Sequence, residues 1–130
     1  DIVKIKAGRI IVKRINLSLI DALNAAVAVL RQNCPAFASL KGIGVSGHMH
    51  GATLLDQNND VLRLHSGNDT RSHAQAAQMD ADLLFREASC NIVFPGFTAP
   101  KLAWVKEHEP EVFARIARVL LPAAFLNHYL

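Results

Sequence analysis

Apolar and basic residues alternate along residues 2–15 around Ala7-Gly8. This is the two-residue period of a strand, and it predicts a hairpin or an extended arm. After Ser18 the period lengthens. Ile20, Leu23, Val27 and Leu30 recur at three- and four-residue steps, giving one buried helical stripe that ends by Pro35. Ser18 and Asp21 have capping-box spacing at its start. Residues 40–45 read as a short strand. Residues 53–56 and 61–64 read as a strand pair joined by the polar turn at 57–60. Ser72 and Gln75 repeat the capping-box spacing and open a helix to about Ala88, with Met79 and Leu83 on its inner face. A loop at Phe94-Pro95-Gly96 precedes a helix capped by Thr98 and carrying Leu102 and Val105. Pro110 suits the first turn of a short helix holding Val112, Phe113 and Ile116. Residues 119–121 are a strand and the last residues are helical. Helices alternating with strands predict an α/β layered fold. The chain has no internal repeat and no low-complexity linker.

At 130 residues the chain is one small domain or a piece of a larger one. Its 51% hydrophobic and 19% charged residues suit a globular core and exclude disorder. The net charge of +3 is mild, and Lys4, Lys6, Arg9, Lys13 and Arg14 supply much of the excess. That stretch lacks aromatic residues for stacking, so it reads as a solvated strand face rather than a nucleic-acid surface. Cys34 and Cys90 stand far apart without CxxC spacing, as reduced cytoplasmic cysteines do. The chain opens on Asp1 and charged residues rather than on a signal peptide. The apolar run at 119–126 is short and broken by Pro122, whereas a membrane span needs about 20 apolar residues.

The candidate chemistry lies at Gly47-His48-Met49-His50-Gly51. The glycines allow tight turns and close approach of a ligand. Strand ends in α/β sheets are where ligands bind. Two histidines two apart on a strand would share a face and hold a metal, but no third ligand has convincing spacing; Cys90, His65 and Asp56 are candidates only in principle. Loop packing and polar contact with a ligand remain as the other readings. Asn68-Asp69-Thr70-Arg71 fits an Asx turn ahead of the next helix, or an Asp–Arg pair that orients ligand hydroxyls or locks the loop. Lys101, His108 and His128 read as surface groups, and Trp104 as a packing residue.

Two stretches, Gly47-His48-Met49-His50-Gly51-Ala52-Thr53-Leu54-Leu55-Asp56 and Pro95-Gly96-Phe97-Thr98-Ala99-Pro100-Lys101-Leu102-Ala103-Trp104-Val105, resemble the FGGY carbohydrate kinases. Within that family they are most similar to the xylulokinase branch, with G-Q-M-H-G-A-T-L-L-D and P-G-F-T-A-P-K-L-x-W-V. The resemblance runs from about residue 40 to residue 126. It implies part of an actin-like (ribonuclease H-like) ATPase domain, a mixed sheet with flanking helices, at residues 40–130, behind a divergent arm and helix at 1–39. It also implies a sugar site lined by Met49 and His50, with His48 where the family has Gln and Asp69 within a segment similar to W-N-D-x-R.

The implied reaction is transfer of the ATP γ-phosphoryl group, with Mg²⁺, to D-xylulose in cytoplasmic D-xylose metabolism. Another ketose or polyol, or a catalytically dead binding remnant, is the alternative. A small basic interaction module is a third reading. The sequence departs from the family at Leu64-His65-Ser66-Gly67, where the Trp before Asn-Asp is missing. It also carries no D-x-G-T phosphate loop, and the family's catalytic Asp lies beyond the equivalent of Leu130. No catalytic residue is therefore expected in this chain, nor tight binding of ATP or Mg²⁺. Exposed sheet edges would favour self-association.

Overall fold

The computed structural model describes residues 2–6, 9–13 and 19–130. The Ala7-Gly8 turn and the Ser18 cap lie outside the described residues, as do the side chains of the basic stretch. The chain divides into two compact units, Asp1–Ile43 and Gly44–Leu130.

In the first unit, β1 (Ile2–Lys6) and β2 (Arg9–Lys13) form an antiparallel hairpin in the register Ile2↔Lys13 to Lys6↔Arg9. The alternating pattern therefore makes a strand pair. Helix α1 (Leu19–Asn33) follows, and a 3₁₀ turn at Pro35–Ser39 ends on Leu40. Ile20, Leu23 and Val27 are half-buried, but Leu30 is 53% exposed, so the expected stripe covers only part of its length.

Residues 40–45 form no strand. A strand exists only where a neighbour completes its hydrogen bonds, and no described strand pairs with this segment. Gly42 and Gly44 add backbone entropy, and Leu40 and Ile43 are exposed.

The second unit is built on a three-stranded antiparallel sheet in the order β4-β3-β5, with β3 at Ala52–Leu55, β4 at Val61–His65 and β5 at Arg118–Leu120. Every described strand pairing is antiparallel. The β3–β4 turn is fixed by the Asp56 carboxylate, whose Oδ1 accepts from the Asn58 and Asp60 amides at 2.9 and 3.0 Å. All four residues of β3 are buried, as befits a central strand. Ala52 and Leu54 join Val105 and Val112 in the core, and Leu102, Trp104, Phe113 and Ile116 pack around them.

The expected helix over 72–88 is two helices. α2 (His73–Ala81) stops at Asp82, which takes an extended conformation and starts α3 (Leu83–Ser89). Asp82 Oδ1 accepts from the Leu84 and Phe85 amides, a side-chain cap that competes with helix continuation. The break turns Leu83 outward, where it is 72% exposed rather than on an inner face. The Ser72–Gln75 capping box does not form. Ser72 Oγ donates to the Pro95 carbonyl at 2.7 Å, and Gln75 Nε2 donates to Glu107 Oε2 at 2.6 Å. Tertiary partners outcompete the local cap at both positions. α4 (Thr98–His108), α5 (Pro110–Phe113) and α6 (Pro122–Tyr129) complete the unit. No helix among the described residues is long and apolar enough to cross a membrane.

Candidate functional site

Three loops meet at one end of the sheet, where β3 begins and its antiparallel neighbours β4 and β5 end. They are the turn before β3, the loop after β4 and the loop before α4. Gly51 lets them approach. A Cβ there would stand 2.5 Å from Pro122 Cγ and 3.0 Å from the His65 carbonyl oxygen. The loops are joined by side chains rather than by a ladder. His48 Nε2 accepts from the Gly67 amide at 2.9 Å, Ser72 reaches Pro95, and Thr98 Oγ1 donates to the Gly51 carbonyl at 3.2 Å.

Met49 and His50 therefore lie at the amino end of β3, not at the carboxyl end of a strand over 40–45. Gly47 and His48 make the turn with φ of 108° and 49°. His48 thus pays for a left-handed backbone, offset in part by its bond to Gly67. That bond requires the neutral ring to carry its proton on Nδ1. The ring is committed to the loop after β4, so His48 and His50 do not share a strand face. Among the described residues no three His, Cys, Asp or Glu side chains come together to hold a metal.

His50 lines a cavity of about 270 Å³ together with Phe85, Ser89, Asn91, Phe97 and Thr98. Its ring stacks on Phe97 with centroids 4.6 Å apart and planes at 20°, and Phe94 packs edge-on to Phe97 at 5.5 Å. Among the described residues neither ring nitrogen of His50 has a hydrogen-bond partner, so the imidazole keeps one donor and one acceptor for a ligand. The cavity falls just below the usual range of about 300–1,000 Å³ for ligand pockets, which restricts it to a small ligand or part of one. Met49 is 65% exposed in the same turn.

Asp69 stands apart from that cavity and is engaged by the protein. Its Oδ1 accepts from the Arg71 amide and Nε, and its Oδ2 from Arg71 at 2.7 Å and from His65 Nδ1 at 3.0 Å. The Asx turn expected at this segment is formed, with the Asp69–Arg71 pair built into it. The Arg71 guanidinium holds the Asp69 carboxyl well below the usual carboxylate range; burial opposes it, and the bond from His65 adds a lesser lowering. Arg71 then lies over the Trp104 ring at 4.3 Å, and His108 stacks on Trp104 at 4.6 Å. His65, in the segment that departs from the family, is buried at 3% exposure.

Lys101 is not a surface charge. It is 2% exposed, and its Nζ donates to the His50 carbonyl at 2.6 Å and to the Gly96 carbonyl at 2.5 Å. Burial pushes the ammonium below its ordinary value, opposed by the Asp69 charge. Thr98 is likewise not the helix cap, because its hydroxyl is spent on Gly51. Lys101 and the Phe97 platform were overlooked in the sequence. The available signal was a single Lys in the apolar run 97–105, one turn after Thr98.

Among the described residues no acidic groups converge at the site to hold the magnesium of a nucleotide.

A sequence profile of the FGGY family of carbohydrate kinases, N-terminal domain, matches residues 14–130. The xylulose kinase of Escherichia coli is 46% identical over 90 residues, covering 68% of this chain and 19% of the relative. A crystal structure described as a xyloylose kinase from Brucella ovis superposes with a TM-score of 0.82 at 53% identity, over 85% of this chain and 24% of that one. The xylulose kinase of Rhodospirillum rubrum gives a TM-score of 0.70 at 28% identity, over 86% of this chain and 24% of its own. The chain spans about a fifth of the length of the curated relatives it matches. Its fold is part of the actin-like ATPase domain of these kinases.

Proposed function

The chain belongs to the FGGY family of carbohydrate kinases, and from that premise we propose that it is a sugar-contacting part of the N-terminal domain of an ATP-dependent D-xylulose kinase. The reaction is transfer of the γ-phosphoryl group to D-xylulose, giving xylulose 5-phosphate in cytoplasmic D-xylose metabolism. The observation that carries the reading is His50, whose free imidazole lines a small cavity at the junction of three loops. A neutral imidazole donates through one nitrogen and accepts through the other, which suits a sugar hydroxyl. Met49 shares that turn. His48 and Asp69 support it from behind, by holding the adjoining loops.

ATP and Mg²⁺ belong to the reaction, and among the described residues no acidic cluster converges to hold the metal; these 130 residues alone are expected to transfer no phosphoryl group. Catalysis by groups that act as a unit collapses when part of the unit is missing. Incubation with ATP, Mg²⁺ and D-xylulose is expected to give no sugar phosphate above background; turnover abolished by His50→Ala would refute this. Sugar binding is tested by NMR titration. A few hydrogen bonds, each worth about 0.5–1.5 kcal/mol net, barely exceed the cost of fixing a ligand, so millimolar affinity, about −4 kcal/mol, is expected. D-xylulose should shift residues 47–53 first. Shifts confined to residues 1–16 would overturn the reading.

A further inference from the structure

The first turn of α4 grips the two residues that precede β3. Thr98 and Lys101 are three apart, hence on one helix face. Thr98 donates to the carbonyl of Gly51 and Lys101 to the carbonyl of His50, so two consecutive carbonyls are held by two side chains of one turn. Phe97, one residue earlier, lies against the ring of that same His50. Lys101 also donates to Gly96, which anchors the Phe97 backbone to the same ammonium.

A buried ammonium is a costly way to fill space. At 2% exposure it loses its water and must be compensated by acceptors. A methionine of similar length would fill the volume without that cost. What the charge provides, and a methionine would not, is a joint between two carbonyls whose loops share no strand ladder.

We propose that Lys101 is the positioning residue of this site: its ammonium ties the His50 and Gly96 carbonyls together, and so sets the His50 ring on Phe97 at the wall of the cavity. His50 is thereby divided in function. Its carbonyl belongs to the scaffold and its ring to the cavity. The role in sugar binding rests on the reading of His50 given above, whereas the positioning itself does not.

The test is NMR of the full chain, comparing Lys101→Met with the unsubstituted protein. The amide ¹⁵N shifts of Gly51 and Phe97 report hydrogen bonds to the preceding carbonyls of His50 and Gly96. Both are expected to move, and the His50 ring proton signals to lose the ring-current offset of Phe97, while Val105 and Val112 stay in place. Unmoved Gly51 and Phe97 signals would overturn the proposal. So would shifts spread equally over Val105 and Val112, which would mean a purely structural lysine. If Lys101→Met does not fold, the unsubstituted chain still decides. Its Lys101 ammonium should give a resolved, slowly exchanging signal with couplings to the His50 and Gly96 carbonyl carbons, and absence of those couplings refutes the joint. The sugar arm is read separately. Lys101→Met is expected to weaken D-xylulose binding at least tenfold. Equal binding with a displaced His50 ring would refute the contribution to affinity. If the unsubstituted chain shows no D-xylulose binding, the sugar reading fails while the shifts still test the positioning.

Discussion

Gly51 is the point where the site is most sensitive to a single added carbon. In Gly51→Ala the new Cβ meets Pro122 Cγ at 2.5 Å, His48 Cδ2 at 3.0 Å and the His65 carbonyl oxygen at 3.0 Å. The His48 ring is exposed and can turn aside at the loss of its bond from the Gly67 amide. The other two cannot. Pro122 is fully buried in the first turn of α6, and the His65 carbonyl ends β4. Overpacking of this kind costs about 1–3 kcal/mol. For a unit of this size each kcal/mol lowers the melting temperature by about 4–8 °C, so a loss of roughly 4–24 °C is expected. Thermal denaturation followed by circular dichroism measures it, with Gly44→Ala as the control. Gly44 has nothing within 4 Å of its added Cβ, so that change is expected to be nearly neutral. Pro122→Ala removes the atom in closest conflict. In a double-mutant cycle it should recover part of the loss, with a coupling of about 0.5 kcal/mol or more. Gly51→Ala melting within about 1 °C of Gly44→Ala, or strict additivity with Pro122→Ala, would refute the close-packing argument.

Asp82→Ala removes the cap between α2 and α3 and is expected to cost about 0.5–2 kcal/mol by urea denaturation, with faster amide exchange at Leu84 and Phe85. Asp69 titrates in the folded state well below its ordinary 3.8. Its contribution is therefore present above pH 3.8 and is lost as pH falls below it, because the unfolded chain then binds the extra proton; in Asp69→Asn this part of the acid dependence should vanish. For Lys101 the fold disfavours rather than favours the charged form, yet the pH slope has the same sign. Its folded value lies below 10.5, so between the two values the unfolded chain holds more protons and stability rises with pH. Lys101→Met should flatten that alkaline rise in melts taken as the pH approaches 10.5 from below.

The strands were legible where the alternation was local and a neighbour was available. Residues 61–64 and 119–121 fell within a residue of β4 and β5, because each has a partner in β3. Residues 40–45 carry an equally apolar run but no described neighbour, and a period alone makes no ladder. The capping spacings misled for a related reason. Ser72 and Thr98 have hydroxyls that local rules assign to helix ends, whereas the fold presents them with the Pro95 and Gly51 carbonyls. Asp82, within a stretch read as one helix, is the residue that caps.

Within the site, the histidines were visible as chemistry, but not their division of labour. His48 turns to Gly67 and His50 to the cavity because Gly47 and His48 adopt positive φ, which breaks the strand geometry assumed for an H-x-H pair. Lys101 was illegible for a deeper reason. Its burial depends on acceptors at positions 50 and 96, and no window around residue 101 contains the first of them. The two stretches that carry the family resemblance, 47–56 and 95–105, are therefore not two motifs. Phe97 meets the His50 ring, Thr98 the Gly51 carbonyl and Lys101 the His50 carbonyl, so three residues of one stretch are spent on two of the other. A substitution at either end loosens the same turn, and the turn holds the only imidazole among the described residues that lines the cavity.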